Sequence, residues 1–201
     1  MKLLDGIKIE GSGRIEIPDC GRDDLPEFFR EMGFKVGAEI GVEKGEFTEV
    51  LCRSGLKMYA IDPWLAYEDL KVVISQQTHD TFYEEVKKRL APYDCTIIRK
   101  TSMEAVKDFE DGSLDFVYID ANHSFKYIAE DICEWSKKVK KGGVISGHDY
   151  GESKPFKPLF YDVKFVVPAY AEAMKLNKWF VLGKRFEGER DKHRSWFLIK
   201  Q

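Results

Sequence analysis

The chain has 201 residues, of which 43% are hydrophobic and 13% aromatic, so it can bury the core of one full-sized domain but has no room for a second large one. Its 32 Lys and Arg residues are balanced by 35 Asp and Glu residues, a formal net charge of -3. This excludes the strongly basic field that drives nonspecific nucleic acid binding, and a small molecule is the expected partner.

Residues 1–34 stand apart from the pattern of the rest of the chain. Glycines break this segment into short strand-like pieces before Leu25 to Met32, which is predicted to be a helix. We expect an N-terminal extension that packs on the domain formed by residues 35–201, or else covers its cleft.

The run Gly37-Ala38-Glu39-Ile40-Gly41-Val42-Glu43-Lys44-Gly45 predicts a strand, a tight turn and the start of a helix. Gly41 and Gly45 remove side chains where the backbone turns and approaches a ligand, and the amino end of the next helix leaves N–H groups without intrahelical partners. The spacing Glu-x-Gly-x-x-x-Gly differs from the Gly-x-Gly-x-x-Gly of a pyrophosphate-binding turn, which disfavours a nicotinamide cofactor. An ordinary helix-capping turn is the alternative.

A second predicted strand ends at Asp62, about 20 residues beyond Gly41. A carboxylate at this position can accept hydrogen bonds from both hydroxyls of a ribose. The turn and the carboxylate together therefore predict a cofactor that contains a nucleoside. Trp64 follows at once, and its ring can either stack on adenine or pack in the core.

Short apolar runs alternate with amphipathic stretches, which is the pattern of a parallel sheet with crossover helices. The predicted strands lie at 35–42, 57–62, 94–98, 114–120 and 143–148, and the predicted helices at 45–54, 78–90, 102–109 and 124–139. The last helix is expected to end at Gly142-Gly143. Its apolar face, predicted to be core, consists of Phe125, Ile128, Ile132, Trp135 and Val139.

After Tyr150 the pattern predicts a polar loop with Pro155 and Pro158, a helix at 162–174, and strands at 179–182 and 196–199. The charged connection between the final two strands suits an antiparallel hairpin better than a crossover. The predicted fold class is α/β: a single doubly wound, Rossmann-like, mostly parallel sheet of seven strands, with helices on both faces and a C-terminal antiparallel hairpin.

Polar side chains follow the fourth and fifth strands directly. Asp120 and His123 come after the fourth strand, and His148 and Asp149 come at the end of the fifth. Because the carboxyl ends of parallel strands meet at one edge of a sheet, we expect these side chains to gather beside the glycine turn. Two carboxylates and two imidazoles at one edge are a more specific sign of a functional site than the turn alone.

Two stretches of the chain carry a family resemblance. One is Ile61-Asp62-Pro63-Trp64 with Tyr67, and the other, from Leu114 to Tyr150, includes Ile-Asp-Ala-x-His-Ser-Phe and Gly-Gly-Val-Ile-Ser-Gly-His-Asp-Tyr. In this order the motifs resemble the class I S-adenosylmethionine-dependent methyltransferases, and among them the macrocin-type O-methyltransferases. The resemblance covers roughly residues 33–174, and it implies the fold and the cofactor more firmly than the substrate.

The resemblance also implies which residues bind the cofactor. Glu39, Gly41 and Gly45 would contact the methionine moiety, and Asp62 would contact the ribose. Ser102 would contact the adenine, unless its hydroxyl caps the helix that follows. Asp120 and Trp64 complete the predicted cofactor-binding set.

Methyl transfer requires an acceptor atom aligned with the methyl group and a group that activates it. In relatives with a metal, a divalent ion near the ends of the fourth and fifth strands lowers the pKa of the acceptor hydroxyl, and Asp120, His148 and Asp149 are the corresponding ligands here. An imidazole among them disfavours magnesium relative to manganese, iron or zinc. Without a metal, His123, or His148 paired with Asp149, would take the proton.

The cysteines, Cys20, Cys52, Cys95 and Cys133, are scattered without a Cys-x-x-Cys pair, so neither a zinc knuckle nor a thioredoxin motif is predicted. No apolar run approaches the length of a signal peptide core or a membrane span. We therefore expect free thiols in a reducing compartment, the cytoplasm.

The predicted function is S-adenosylmethionine-dependent methylation of a small molecule, with oxygen as the expected acceptor atom. One alternative is a nucleotide-dependent oxidoreductase on the same layered scaffold, which the glycine spacing disfavours. Another is a noncatalytic protein that keeps the cofactor pocket. Nucleic acid as the acceptor lacks a supporting basic aromatic patch, and the sequence leaves open whether the protein forms a homodimer.

Overall fold

The computed structural model describes residues 1–66, 74–151, 162–183 and 194–201. These residues form an eight-stranded sheet with helices on both faces. This confirms the predicted α/β class, the mostly parallel sheet and the C-terminal antiparallel hairpin. Tyr67, Pro155 and Pro158, and most of the charged connection between the last two strands, lie outside the described residues.

Apart from the first helix and the first strand, which have no predicted counterpart, the element bounds agree with the predicted segments to within a few residues. The strands are β1 Gly13–Ile17, β2 Val36–Ile40, β3 Lys57–Ile61, β4 Cys95–Ile98, β5 Leu114–Ile119, β6 Val139–Tyr150, β7 Lys178–Leu182 and β8 Arg194–Ile199. The helices are α1 Leu3–Gly6, α2 Leu25–Glu31, α3 Glu46–Arg53, α4 Gln76–Leu90, α5 Ser102–Ala105, α6 Phe125–Lys138 and α7 Val163–Ala173.

The strand order across the sheet is β1-β7-β8-β6-β5-β2-β3-β4. Strands β2 to β6 run parallel to one another, whereas β8 lies antiparallel between β6 and β7. The chain proceeds outward from β2 to β4 and then returns to place β5 on the other side of β2. The strand order therefore reverses between β2 and β5, and open α/β sheets bind their ligands outside the carboxyl ends of the strands at such a point.

Burial on both faces explains the sequence of the central strand β5. All six of its residues are buried, as expected of a parallel strand covered by helices on both sides. Val117 and Ile119 pack with the core under α5, α6 and α7. Phe116 and Tyr118 point to the opposite face and pack with residues of α2 and α3.

The eighth strand comes from the N-terminal segment, whereas the sequence pattern predicted seven strands. β1 lies at the edge of the sheet, parallel to β7. Ile15 and Ile17 alternate with polar residues, which is the period of a strand. Short strand-like pieces were predicted in this segment, but alternation does not indicate that such a piece pairs with β7, near the other end of the chain.

Four of the five core residues predicted for helix α6 are confirmed, although Val139 belongs to β6 and not to α6. Ile128, Ile132, Trp135 and Val139 are at most 1% exposed, whereas Phe125 is 60% exposed. The prediction for Phe125 is wrong because this residue begins the helix at the rim of the sheet and does not lie over its face.

The predicted end of this helix is also wrong. Helix α6 ends at Lys138, and β6 begins with the next residue, Val139. Gly142 has a φ of +77° within the strand, near an irregularity in the pairing of β5 with β6. The glycine pair therefore bends a strand here and does not cap a helix.

Cys20, Cys52, Cys95 and Cys133 form no disulfide with one another. Within the described ranges, no helix combines the length and the apolar character needed to cross a bilayer.

Candidate functional site

The strand ends bring the predicted site residues to one edge of the sheet. Pairing aligns Ile40 of β2 with Ile61 of β3 and with Ile119 of β5, so that Gly41, Asp62 and Asp120 follow at the same level. The Gly41 N–H donates to the Ile61 carbonyl at 2.9 Å, and the Asp120 N–H donates to the Ile40 carbonyl at 2.7 Å.

Gly41 and Gly45 shape the turn between β2 and α3. Their φ values are +87° and +73°, in the left-handed region that favours glycine. A Cβ on Gly41 would overlap the carbonyl group of Asp120, so the neighbouring chain itself requires glycine at this position. Gly45 is the residue that precedes the first turn of α3. Each glycine thus has a structural reason that is independent of any ligand.

The Asp62 carboxylate holds the same turn together. Its Oδ2 atom accepts hydrogen bonds from the N–H groups of Val42 and Glu43, both at 3.0 Å, and its Oδ1 atom accepts one from the Trp64 N–H at 2.7 Å. Glu43 and Trp64 have φ values of +49° and +44°, strained for residues with side chains. A carboxylate offers about four acceptor positions. Three of them are taken by these N–H groups, so Asp62 can still accept a hydrogen bond from a ribose hydroxyl.

Trp64 is fully buried. Its ring centroid lies 4.9 Å from that of Tyr83 on α4, and its Nε1 atom donates to the Glu43 carbonyl at 2.8 Å. Of the two roles left open by the sequence, the structure therefore shows packing, and in this conformation the ring has no exposed face on which adenine could stack.

Glu39 lies buried between β2 and α3, with 3% of its surface exposed. Its carboxyl group accepts a hydrogen bond from the Thr48 hydroxyl. Burial raises the pKa of Glu39 to about 8, although the Thr48 hydrogen bond opposes this shift. Nearby Asp120 raises the pKa further and Arg22 lowers it. A carboxyl group with this pKa is mostly protonated at neutral pH.

Replacing Glu39 with glutamine should change how stability depends on pH. The contribution of an acid whose pKa is raised in the folded state is complete below its ordinary value, here 4.5, and is lost as the pH rises through the folded value of about 8. We expect the free energy of unfolding to fall by a few kcal/mol between pH 5 and pH 8.5 in the wild type, and much less in Glu39→Gln. Urea titrations at both pH values measure this, and identical losses in the two proteins would contradict it.

Asp120, His123 and Asp149 form a compact cluster beside the turn, with one potential ligand atom of each within 4.8 Å of the others. His123 Nε2 lies 2.7 Å from Asp149 Oδ2 and 3.4 Å from Asp120 Oδ1. His148 borders this cluster, with its Nδ1 atom 3.4 Å from Asp149 Oδ2 and 3.8 Å from Asp120 Oδ2. The tightest donor set therefore contains His123, whereas the sequence prediction for a metal named His148.

The two acidic neighbours keep His123 charged. Burial opposes protonation of His123, but hydrogen bonds to Asp120 and Asp149 outweigh it and raise its pKa to about 9. Burial likewise opposes ionisation of Asp149, yet hydrogen bonds with His123 and His148 hold its pKa well below the ordinary value. Asp149 also has a φ of +58°, a strained conformation of the kind that often occurs at functional sites.

The Ser102 side chain is hydrogen-bonded to two residues of α6. Its hydroxyl donates to the Asp131 carboxylate and accepts from Trp135 Nε1 at 2.8 Å. The expectation that Ser102 caps its helix is wrong, since Thr101 is the N-cap and donates its N–H to Glu104 Oε2 at 3.0 Å. The adenine contact predicted for Ser102 stays a prediction.

Sequence reasoning missed two residues at this site, Thr48 and Arg22. Thr48 donates to Glu39, as described above. Arg22 comes from the N-terminal segment, and its Nη1 atom lies 3.7 Å from Asp120 Oδ2. Neither residue stands at a recognisable spacing from the glycine turn. A polar residue three positions beyond Gly45 on the predicted helix was a weak signal for Thr48, and nothing in the sequence pattern marked Arg22.

The chain matches a family model described as "Methyltransferase domain" over residues 38–150, more than half of its length. This range contains the glycine turn, Asp62 and the cluster of Asp120, His123 and Asp149.

The chain is also similar to one curated protein and to two solved structures. An uncharacterized protein of Sinorhizobium fredii, y4gI, is 29% identical over 124 residues, which cover 57% of this chain and 12% of that protein. The chain thus spans only a small part of this relative's length.

The O-methyltransferase TomG of Streptomyces achromogenes, solved with S-adenosylmethionine, has a TM-score of 0.64 at 16% identity. The match covers 90% of this chain and 79% of the TomG chain. The O-methyltransferase of Bacillus cereus, solved with S-adenosylhomocysteine, has a TM-score of 0.60 at 15% identity, covering 89% and 80%. At these identities the two solved structures show a shared fold.

Proposed function

We propose that this chain, which belongs to the methyltransferase family that it matches over residues 38–150, transfers the methyl group of S-adenosylmethionine to an oxygen atom of a small molecule. The observation that carries this proposal is the cluster of Asp120, His123 and Asp149 beside the glycine turn. A hydroxyl acceptor must lose its proton during transfer, and a group of carboxylates and imidazoles is suited to promote that loss.

The cofactor is assigned to the glycine turn and the ends of β2 and β3. Glu39, Asp62 and Asp120 place carboxyl groups around this turn. S-adenosylmethionine carries positive charge on its sulfonium and on its ammonium group, and the carboxylates of Asp62 and Asp120 complement both charges. The buried Glu39 carboxyl, with its raised pKa, adds polar atoms but little charge. The methyl group would then face the cluster, which lies at the ends of the adjacent strands β5 and β6.

The donor set of this cluster fits a divalent metal ion. Two carboxylate oxygens and one imidazole nitrogen lie close enough to share an ion, and a set that includes an imidazole suits manganese, iron or zinc better than magnesium. Such an ion would act as a Lewis acid that lowers the pKa of the acceptor hydroxyl. His123 ligates only as a neutral imidazole, so it would have to release the proton that Asp120 and Asp149 now stabilise.

His148 is assigned a second, proton-accepting role at the same site. It is 13% exposed and adjoins both Asp149 and Asp120, so a proton taken from the acceptor would be stabilised by two carboxylates. His123 takes this role in a metal-free reaction only in its neutral form, above its pKa of about 9.

Residues 35–201 are assigned as the catalytic domain, and residues 1–34 as an extension that packs on it and contributes to the cleft. The four cysteines, none of which is joined to another by a disulfide, suit a reducing compartment, the cytoplasm, as its location.

A turnover assay tests the proposed function. The protein is incubated with S-adenosylmethionine and a panel of phenols, catechols and sugar hydroxyls, with and without Mn²⁺, and S-adenosylhomocysteine and methylated products are quantified by mass spectrometry. The expected result is a product that carries one added methyl group on oxygen. Cofactor binding without product on any acceptor class would instead favour the noncatalytic alternative.

A further inference from the structure

Strand β6 is irregular at the point where it carries two residues of the site. In its pairing with β8, Gly147 lies opposite Trp196, and the next paired positions lie three residues further along β6 but only two residues back along β8. The residues that follow Gly147, His148 and Asp149, therefore stand opposite a single residue of β8. This arrangement is a β-bulge, which bends a strand and changes the direction of its side chains.

The bulge explains why both side chains reach the cluster. In a regular strand, successive side chains point to opposite faces of the sheet. Here the His148 Nδ1 atom lies 3.4 Å from Asp149 Oδ2 and 3.8 Å from Asp120 Oδ2, so the two neighbours converge. Asp149 has a φ of +58°, a conformation that persists only where the surrounding structure imposes it. The directions of both side chains thus depend on what holds the bulge.

The Trp196 side chain contacts the bulge directly. Its Nε1 atom donates to the His148 carbonyl at 3.0 Å. That carbonyl belongs to the planar peptide group that joins His148 to Asp149. The hydrogen bond therefore fixes the orientation of the plane on which the φ of Asp149 depends.

The indole ring is itself held in place by the core. Trp196 is fully buried and packs in the cluster of apolar residues under α6 and α7. Its ring lies against Gly147, the residue before the bulge, where an added Cβ would come within 2.7 Å of Trp196 Cζ2. A side chain at Gly147 would thus displace the ring. The N–H donor reaches the His148 carbonyl from a rigid position.

We propose that Trp196 is a positioning residue of the methyl-transfer site, one that holds the bulge so that His148 and Asp149 both face the cluster. It belongs to the C-terminal hairpin, outside the matched range of 38–150. This inference rests on the proposed function and deepens it, because it assigns the geometry of the cluster to a residue that acts on the reaction through Asp149.

The rate of methyl transfer tests this role. Trp196→Phe keeps an aromatic ring in the core and removes the N–H donor. We expect kcat to fall about 10- to 100-fold, because a small misplacement of a catalytic group has effects of this size. The dissociation constant of S-adenosylhomocysteine should change by less than about twofold, because the glycine turn lies on other strands.

A double-mutant cycle separates positioning from a general structural effect. In an Asp149→Asn background, Trp196→Phe should lower kcat by less than about threefold, since the carboxylate through which Trp196 acts is already absent. A residue that only stabilises the fold would lower kcat by the same factor in both backgrounds.

Trp179→Phe is the matched control. Trp179 is also a buried tryptophan, on the neighbouring strand β7, where its ring centroid lies 5.4 Å from that of Tyr150. The control removes an indole from the same core, and it should leave kcat unchanged.

Ring ¹H–¹⁵N spectra of the histidines, recorded on metal-free protein at one pH, test the geometry without turnover. Trp196→Phe should move the signals of His123 and His148, whose rings lie beside Asp149. The signals of His79, on α4, should stay in place as an internal reference. Trp179→Phe should move none of the three.

Unmoved His123 and His148 signals in folded Trp196→Phe, or an equal loss of kcat in both Asp149 backgrounds, would overturn the role of Trp196. If Trp196→Phe does not fold, incorporation of benzothienylalanine in place of Trp196 removes the N–H with little change of shape and is judged by the same outcomes. A wild-type protein that methylates no acceptor would overturn the proposed function, while the ring spectra would still decide whether Trp196 holds the bulge.

Discussion

Gly41→Ala is expected to lower the free energy of unfolding by about 2–5 kcal/mol, and to remove cofactor binding with it. An L residue forced into the left-handed region costs roughly 1–2 kcal/mol, and Gly41 has a φ of +87°. The added Cβ would also overlap the carbonyl group of Asp120. The backbone of Asp120 is itself held by its 2.7 Å hydrogen bond to Ile40, so relief of the overlap disturbs two central strands, and overpacking of this kind costs about 1–3 kcal/mol more.

Gly55→Ala separates the cost of the left-handed backbone conformation from the cost of the overlap with Asp120. Gly55 has a nearly identical φ of +85°, but a Cβ at this position meets nothing within 4 Å. Gly55→Ala should therefore show only the conformational cost. Urea unfolding of both variants measures the difference, and equal losses of stability would mean that the close approach of Gly41 to Asp120 is unimportant.

Asp149→Asn is expected to slow methyl transfer by about 10²- to 10⁴-fold, the usual range for the loss of acid–base assistance. The Asp149 carboxylate lies 2.7 Å from His123 Nε2 and is one of the three groups that could hold a metal. A neutral carboxamide removes a negative charge from the cluster. The pKa of His123 should consequently fall from about 9 toward its ordinary 6.5, which a histidine titration followed by NMR in metal-free protein measures directly.

Asp115→Asn provides the control for Asp149→Asn. Asp115 is a buried aspartate on the opposite end of β5, where its Oδ2 atom accepts hydrogen bonds from the N–H groups of Lys35 and Val36. Its replacement should cost about 1–3 kcal/mol of stability without changing the rate per folded molecule. Wild-type rate and an unaltered His123 titration in Asp149→Asn would show that the cluster does not serve the reaction.

The parallel strands were predictable because each apolar run stops at a polar residue. Leu114–Ile119 is a short and mostly apolar run that ends at Asp120, and this pattern is typical of a central parallel strand. The structure shows such a strand, with all six residues buried. Phe125 shows where this reasoning fails. Periodicity indicates which face of a helix is apolar, but not how far the helix extends past the sheet that covers that face.

The positions of the predicted carboxylates could be inferred from the strands, because Asp62 and Asp120 directly follow strands that are paired in register with β2.

The role of Trp64 could not be inferred from the strands. Its burial depends on Tyr83 from α4, and no spacing rule relates α4 to β3. The position of Arg22 could not be predicted from the sequence either. Its place beside Asp120 depends on the path of the N-terminal segment along the α2 and α3 side of the sheet, and that path is a property of the packed fold.

Titration calorimetry with S-adenosylhomocysteine is the most direct test of a nucleoside sulfonium site at the ends of β2, β3 and β5. We expect one site per chain with micromolar affinity, weakened about tenfold by Asp62→Asn, and no heat on addition of a nicotinamide dinucleotide. Asp62→Asn keeps the Oδ1 acceptor for the Trp64 N–H but loses the Oδ2 acceptor for the N–H groups of Val42 and Glu43, so this loss combines a weaker ribose contact with a disturbed turn in protein shown to be folded by circular dichroism. Absence of binding to folded wild-type protein at millimolar S-adenosylhomocysteine would contradict the account.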